Sequence, residues 1–252
     1  MSCTILQKDA IAPTVDQLKR AFKLVKTLTE ADAVKLAVEA CGILMKNLSL
    51  DDANTLQRAL QSEGVNTEVI DAALLPRLVD AKFVRRMEFQ PQTLVMHDSL
   101  GRAVPVPWQQ IKLVSAGAVR HFGMSTTRTE QTVTSFDPIR GIHTKVITDI
   151  RHKVQDDGKF ILDIFLTEGA MRLQIEADAF QFKYCFDRPD LNLPQKLSLL
   201  IQMLAEHAPQ ATLNRGAIAL RDSRFADASY VSKAALFDES TWLLWLATQK
   251  NS

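Results

Sequence analysis

A β-hairpin between residues 93 and 114 is the sequence feature that most constrains the fold of this chain. The apolar residues 94–96 form its first strand, and the polar stretch from His97 to Arg102 forms its turn. Gly101 can take the positive φ that a bulged hairpin turn needs. The alternating run 103–108 then predicts the second strand.

Two prolines and a tryptophan define how this second strand is used. Pro105 and Pro107 cannot donate hydrogen bonds to a neighbouring strand, so the run should lie at the edge of a sheet. Trp108 follows them. Because tryptophan side chains are mostly buried, we predict that Trp108 anchors a core; the alternative is an aromatic platform for a ligand.

Composition restricts the function classes. The chain has 252 residues, 46% of them hydrophobic, which is enough for one large or two ordinary domains. A net charge of +1 gives no electrostatic attraction to nucleic acid or to an anionic membrane. Cys3, Cys41 and Cys185 form no CxxC pair, which argues against a disulfide framework or zinc site and predicts a reducing, cytoplasmic location. No leader-like segment or 18-residue apolar run stands out, so we expect no signal peptide and no membrane span.

Residues 3–71 predict the order β-α-α-β-α-β. Strand patterns occupy residues 3–8, 43–48 and 65–70. Apolar residues recur at helical spacing between them, and the helices begin after the capping residues Thr14, Thr29 and Ser49. Gly42 and Gly64 are expected to end the second and third helices.

The segment KNLSLDDANTLQRALQSEGVNTEVI within these residues resembles the C-terminal domain of the bacterial ribosomal stalk protein, which recruits translation factors. The resemblance is carried by Lys46, Leu48, Ser49, Asp52, Ala53, Leu56, Ala59, Leu60, Gly64, Val65 and Val69. That family binds its factors with a Gly-Leu-Gly-Leu turn and a lysine-rich helix. Here the turn reads Thr-Leu-Thr-Glu over residues 27–30, Ala31 and Val34 follow it, and Lys35 is one step out of place. The resemblance therefore implies an adaptor that reuses the fold without the factor-binding surface.

The central region predicts about seven strands, spread over residues 82–185, with a linker at 72–81 that packs against the protein. Asp156-Asp157-Gly158 reads as a hairpin turn, and the polar, Thr/Ser-rich stretch 123–141 as a mobile or functional loop. A helix from Leu193 to Ala208, with Pro194 at its start, follows the strands.

Strands followed by one helix look like the pleckstrin-homology superfold. Members that bind phosphoinositides carry several cations at the first hairpin turn, whereas the turn here has Arg102 and Asp98. The resemblance therefore does not imply binding of a lipid headgroup. The chain as a whole resembles an uncharacterised bacterial family.

The end of the chain combines an irregular stretch, 212–238, with a short apolar helix that contains Trp242 and Trp245. We predict that this helix docks onto the body of the protein and closes a core. The alternative is an anchor for a partner or for a membrane interface.

Catalytic and metal-binding patterns are absent from the sequence. His97, His121, His143, His152 and His207 show neither the i, i+2 spacing of a strand site nor the i, i+4 spacing of a helix site. The nucleotide, hydrolase and metalloprotease motifs do not occur. Cys41 should be unreactive, because the C-terminal end of a helix raises a thiol pKa. We therefore predict no catalytic, cofactor-binding or metal-binding residues.

Together these patterns predict an α+β protein: a β-α-α-β-α-β module (1–73), a pleckstrin-homology-like seven-strand β-barrel capped by a helix (82–210), and a C-terminal extension with a Trp-rich helix (211–252). The predicted function is a non-catalytic interaction or scaffold protein with a protein partner, and self-association is left open. The alternative is a module that binds a small ligand or a lipid headgroup at the barrel mouth. The third hypothesis is an enzyme whose site is assembled from residues distant in sequence.

Overall fold

The protein has a mixed α+β architecture in a computed structural model. The structure describes residues 2–25, 27–39, 41–97, 100–137, 141–167 and 170–250, and describes only the backbone at 39, 120–137, 141–157 and 250. One compact unit comprises Met1–Val119 and Lys159–Ser252, and a second comprises Arg120–Gly158. The three-part division at 73, 82 and 211 stays a prediction.

The first elements follow the order predicted from their sequence: β1 (Cys3–Gln7), α1 (Val15–Phe22), α2 (Glu30–Glu39), β2 (Ile43–Leu48), α3 (Leu50–Ser62) and β3 (Thr67–Asp71). The strands form an antiparallel sheet in the order β2-β1-β3. Thr14, Thr29 and Ser49 each accept a hydrogen bond from the backbone three residues later, which confirms their capping roles. Helices and sheet share a hydrophobic core that includes Phe22 and Leu56.

Seven strands follow: β4 (Ala81–Phe83), β5 (Arg86–Phe89), β6 (Thr93–His97), β7 (Ala103–Pro107), β8 (Ile111–Asp137), β9 (Gly141–Leu166) and β10 (Arg172–Glu176). Strands β5, β6 and β7 form a separate antiparallel sheet in that order. The predicted edge position of the strand with the two prolines is therefore confirmed. Trp108, directly after it, is buried and donates from Nε1 to the carbonyl of Gln90 at 2.9 Å, so its core role is also confirmed.

The prediction of a closed seven-strand barrel is wrong. Strands β8, β9, β10 and β4 follow one another in an open, six-stranded sheet, and β5-β6-β7 is a second open sheet. The number of strands agrees with the prediction, but their pairing does not. Hairpin-like spacing predicts pairing only between consecutive strands, whereas β4 pairs in parallel with β10, about ninety residues later.

Three local predictions in this region are also wrong. Residues 123–137 of the predicted loop belong to β8 and residue 141 begins β9, while 138–140 lie outside the described residues. Asp156-Asp157-Gly158 lies within the continuous strand β9 rather than in a turn. Residues 180–184 alternate like a strand, but they contain the short 3-10 turn Phe182–Tyr184 instead. Threonine-rich runs favour strands even without apolar alternation.

The predicted helix after the strands is confirmed as α4 (Leu193–His207), which packs on the core that contains Trp108. The prediction of an irregular stretch over 212–238 is wrong. This stretch contains β11 (Thr212–Leu213), α5 (Arg215–Arg221) and β12 (Ser229–Tyr230). Both short strands pair in parallel with β8 and so extend the six-stranded sheet. The helix α5 begins at Arg215 because the side chain of Asn214 caps its first turn.

The last helix, α6 (Lys233–Lys250), is much longer than predicted. Trp242 and Trp245 pack against Leu6, Ile43 and Ile70 of the first sheet. Leu244 packs against Leu113 and Phe165 of the six-stranded sheet. The helix thus lies between two sheets, which confirms that it closes a core. Of the helices in the described part of the chain, none has the length and apolar content needed to cross a bilayer.

The segment between the first sheet and β4 packs in part, as predicted. Leu75 joins the cluster around Trp242, and Leu78 joins the cluster around Phe165. Leu74 is exposed.

Candidate functional site

A cleft of about 460 Å³ lies between the edge of the six-stranded sheet and the three-stranded sheet. Its volume falls within the range of small-molecule sites in proteins. Strands β4 and β10 line one side, and β6 and β7 line the other. Most of the lining is apolar: Phe83, Val84, Met96, Val104, Met171 and Leu173.

Two strand pairings position this lining. Leu173 of β10 is paired with Lys82 of β4, which brings residues about ninety positions apart onto one wall. On the other wall, Met96 is paired with Val104 in the β6-β7 hairpin. Met96 and Leu173 are buried, while Val104 is exposed at the cleft side of the edge strand. The cleft is therefore a gap between sheets rather than a cavity within one of them.

Three basic side chains, those of Lys82, His97 and Arg102, complete the lining. None of the nine described residues that line the cleft is acidic. The arrangement combines apolar walls with basic side chains. Such a lining can bind a small ligand non-covalently.

His97 lines the cleft and also lies close to Glu88 on β5, an outer strand of the same sheet. Its Nε2 lies 3.2 Å from Oε1 of Glu88, and its Nδ1 lies 3.4 Å from the carbonyl oxygen of Gly101. Among the described residues, Nε2 has no partner with hydrogen-bond geometry. The pKa of Glu88 is lowered, first by the hydrogen bond from Arg86 and less by His97. Glu88 is therefore held ionised mainly by its neighbour on β5.

A second polar cluster lies buried beneath α6. Tyr230 donates from its hydroxyl to Glu239 at 2.5 Å and accepts from the side-chain amide of Asn214 at 2.8 Å. Asn214 also accepts from the backbone N–H of Ala116 at 2.9 Å. Glu239 accepts from the backbone N–H of Arg215 at 2.8 Å, and its other oxygen lies 3.3 Å from that guanidinium.

This cluster connects elements rather than forming a site. Its groups satisfy one another, and they join α6, α5 and β8. Burial, and then Glu239, raise the pKa of Tyr230. Burial, followed by the charge of Glu239, also raises the pKa of Cys41 to about 12, which confirms the predicted direction for this thiol. The predicted cause is wrong, because burial and not the end of a helix is the largest contribution.

A buried ion pair joins β9 to β10. Asp163 accepts from Arg172 at 2.9 Å and from the amide of Gln174 at 2.8 Å. The guanidinium carbon of Arg172 lies 4.1 Å from the ring centroid of Phe237 on α6. Burial raises the pKa of Asp163, while both hydrogen-bond donors act to lower it. The pair therefore fixes the register of two strands within a core.

The five histidines are not described equally. His97 lines the cleft, and His207 packs against Trp108 with 4.8 Å between ring centroids. The side chains of His121, His143 and His152 lie outside the described residues. In the part of the chain that is described, no three His, Cys, Asp or Glu side chains are grouped as metal ligands.

Sequence reasoning identified His97 and Arg102 at the hairpin turn but missed Lys82. In the sequence, Lys82 is the first residue of the predicted second module. No pattern there indicates that β4 faces this hairpin. The prolines of β7 were the one sign in the sequence that this hairpin lies at the edge of a sheet. No protein-family model, curated protein or solved structure matches the chain.

Proposed function

We propose that the chain is a non-catalytic interaction or scaffold protein, and that residues 120–158 make the contact with a partner protein. The observation that carries this proposal is the length of β8 and β9, 27 and 26 residues. The two strands are neighbours in their sheet. Among the described residues, the other strands of the sheet pair with β8 over 113–114 and 118–119, and with β9 over 161–165.

A two-stranded ribbon by itself is marginally stable in water, because it has no third strand or helix to cover a face. Its unpaired edges can accept a strand from another chain. A protein partner, or a second copy of this chain, would supply the missing neighbour. The stalk-like resemblance of the first module also favours an adaptor. The three free cysteines favour a cytoplasmic setting for it.

The test is a variant in which a short Asn-Gly turn replaces residues 121–157. Sedimentation velocity measures self-association, and cross-linking in the native cell extract followed by mass spectrometry measures partner binding. The control is Val38→Ser, which removes a side chain that is 61% exposed on α2. We expect the full chain and the control to associate and the shortened chain to remain monomeric with an unchanged unfolding midpoint.

Two results would contradict this proposal. One is association that survives in the shortened variant. The other is a full chain that neither self-associates nor cross-links to a partner.

A second candidate function is small-ligand binding, and the cleft between β4 and β7 favours it. The cleft has the size and the apolar lining of ligand sites, with three basic side chains among its lining residues. This position replaces the barrel mouth as the place where a ligand would bind. A thermal-shift screen with metabolites and headgroups tests it, and a screen without any stabilising compound would remove it.

A further inference from the structure

Among the described residues that line the cleft, the charged side chains are those of Lys82 and Arg102. Lys82 lies on β4 and Arg102 precedes β7, so the two cations come from opposite walls. Both residues are exposed, whereas the apolar lining behind them includes the buried side chains of Met96 and Leu173. Both cations thus stand at the rim together with the exposed side chains of Phe83 and Val104, and the apolar surface continues into the depth of the cleft.

The edge of β7 disfavours one class of occupant, an added peptide strand. Pro105 is paired with Val95, and Pro107 with Thr93, at the end of a three-stranded sheet. A proline has no N–H, so two of the donors that an incoming strand would use at this edge are missing. The strand on the other side, β4, is only three residues long. A small molecule therefore suits the cleft better than a strand of a partner protein.

From this polarity, and resting on the second candidate function above, we infer that the cleft binds a single-chain amphiphile with an anionic head group. The apolar chain lies against Met96, Leu173 and Val104, and the head group lies near Lys82 and Arg102. A carboxylate beside either cation gains charge-assisted contacts that a neutral or cationic head group lacks.

The test is isothermal titration calorimetry of the full chain with four probes. Octanoate carries both the chain and the anion, octyl glucoside a neutral head, octylammonium a cationic head, and acetate the anion alone. We expect octanoate to bind about tenfold more tightly than octyl glucoside, and acetate and octylammonium not to bind measurably.

Two pairs of variants locate the binding. Val104→Trp fills the cleft from the edge strand and should abolish octanoate binding, while Val38→Trp makes the same change on an exposed face of α2 and should not. Lys82→Gln should weaken the binding of octanoate about fivefold and leave the binding of octyl glucoside unchanged, and Lys8→Gln, outside the cleft, should have no effect.

Methyl NMR of the wild-type chain gives a readout that needs no variant. The signals of Met96 and Met171 should shift with octanoate, and those of Met45 and Met203 should not.

The outcomes separate the two levels of the proposal. If octyl glucoside or octylammonium binds as tightly as octanoate and Val104→Trp abolishes that binding, the cleft is a ligand site but the anionic head group is wrong. If no octyl probe binds, or if the shifts bypass Met96 and Met171, the ligand site itself is refuted.

Discussion

Trp242 offers the sharpest test of the packing around α6. Its ring is 3% exposed, and its Nε1 donates to the backbone carbonyl of Gln7 at 2.8 Å. The ring lies so close to Gly42 that a Cβ built there would fall 2.1 Å from Cδ2 of the indole. The side chain therefore joins α6 to both β1 and the residue before β2.

Truncating this side chain removes both its packing and its hydrogen bond. Large-to-small changes of buried aromatic residues cost about 3–5 kcal/mol, so Trp242→Ala should lower the unfolding midpoint by about 10 °C. Trp242→Phe keeps most of the buried area and loses the bond to Gln7, so it should cost about 1–2 kcal/mol. Deleting residues 240–252 should lower the midpoint at least as much as Trp242→Ala.

The assay is urea unfolding followed by circular dichroism, with thermal unfolding in parallel. Gln249→Ala, an exposed change on the same helix, is the control and should stay within about 0.5 kcal/mol of the wild type. If Trp242→Ala is as mild as this control, α6 does not pack on the first sheet as described, and the reasoning fails.

Two further predictions concern buried groups. Asn214 and Asn192 both cap a helix by accepting from the third backbone N–H, but Asn214 also bonds Ala116 and Tyr230. Asn214→Ala should therefore cost more than about 3 kcal/mol in urea unfolding and Asn192→Ala about 1 kcal/mol, and equal costs would contradict the buried network. Burial raises the pKa of Cys41 and of Cys185 to about 12, so both thiols should react with iodoacetamide at pH 8 about a thousandfold more slowly than a free thiol. Since folding raises these pKa values, stability should be fully present below about pH 8.5 and decline as pH rises from there toward 12, and a flat profile would contradict the assignment.

The helices and strands of the first seventy residues could be predicted because the residues that start and end them act locally. Thr14, Ser49 and Gly64 each act on the backbone within a few residues, as a cap or as a turn with φ of +78° for Gly64. The sequence therefore showed where helices begin and end without knowledge of the tertiary fold. The same holds for the β6-β7 hairpin, whose edge position follows from its prolines.

Failures occurred where structure depends on distant partners. The strand β8 runs through a stretch without apolar alternation, so the usual sign of a half-buried strand was missing. The stretch after α4 looked irregular because β11 and β12 are two residues long and exist only through pairing with β8. The cleft could not be foreseen, since Lys82 and Arg102 line it only after two separate sheets have formed.

The packing of α6 bears directly on which surfaces remain for binding. An apolar helix with two tryptophans fits either an internal helix or an anchor, and its sequence does not distinguish them. In the structure, Trp242 and Trp245 face the first sheet and Leu244 faces the six-stranded sheet, so the tryptophans that an anchor would present are already buried. An anchor role would require α6 to leave both sheets and expose Gly42 and the carbonyl of Gln7. The two surfaces proposed for binding, the cleft beside β4 and the strands beyond residue 119, include none of these three side chains of α6. Changes in the cleft should therefore remove ligand binding, and changes in the strands beyond residue 119 should remove association, without loss of stability in either case. Changes in α6 should lower stability instead.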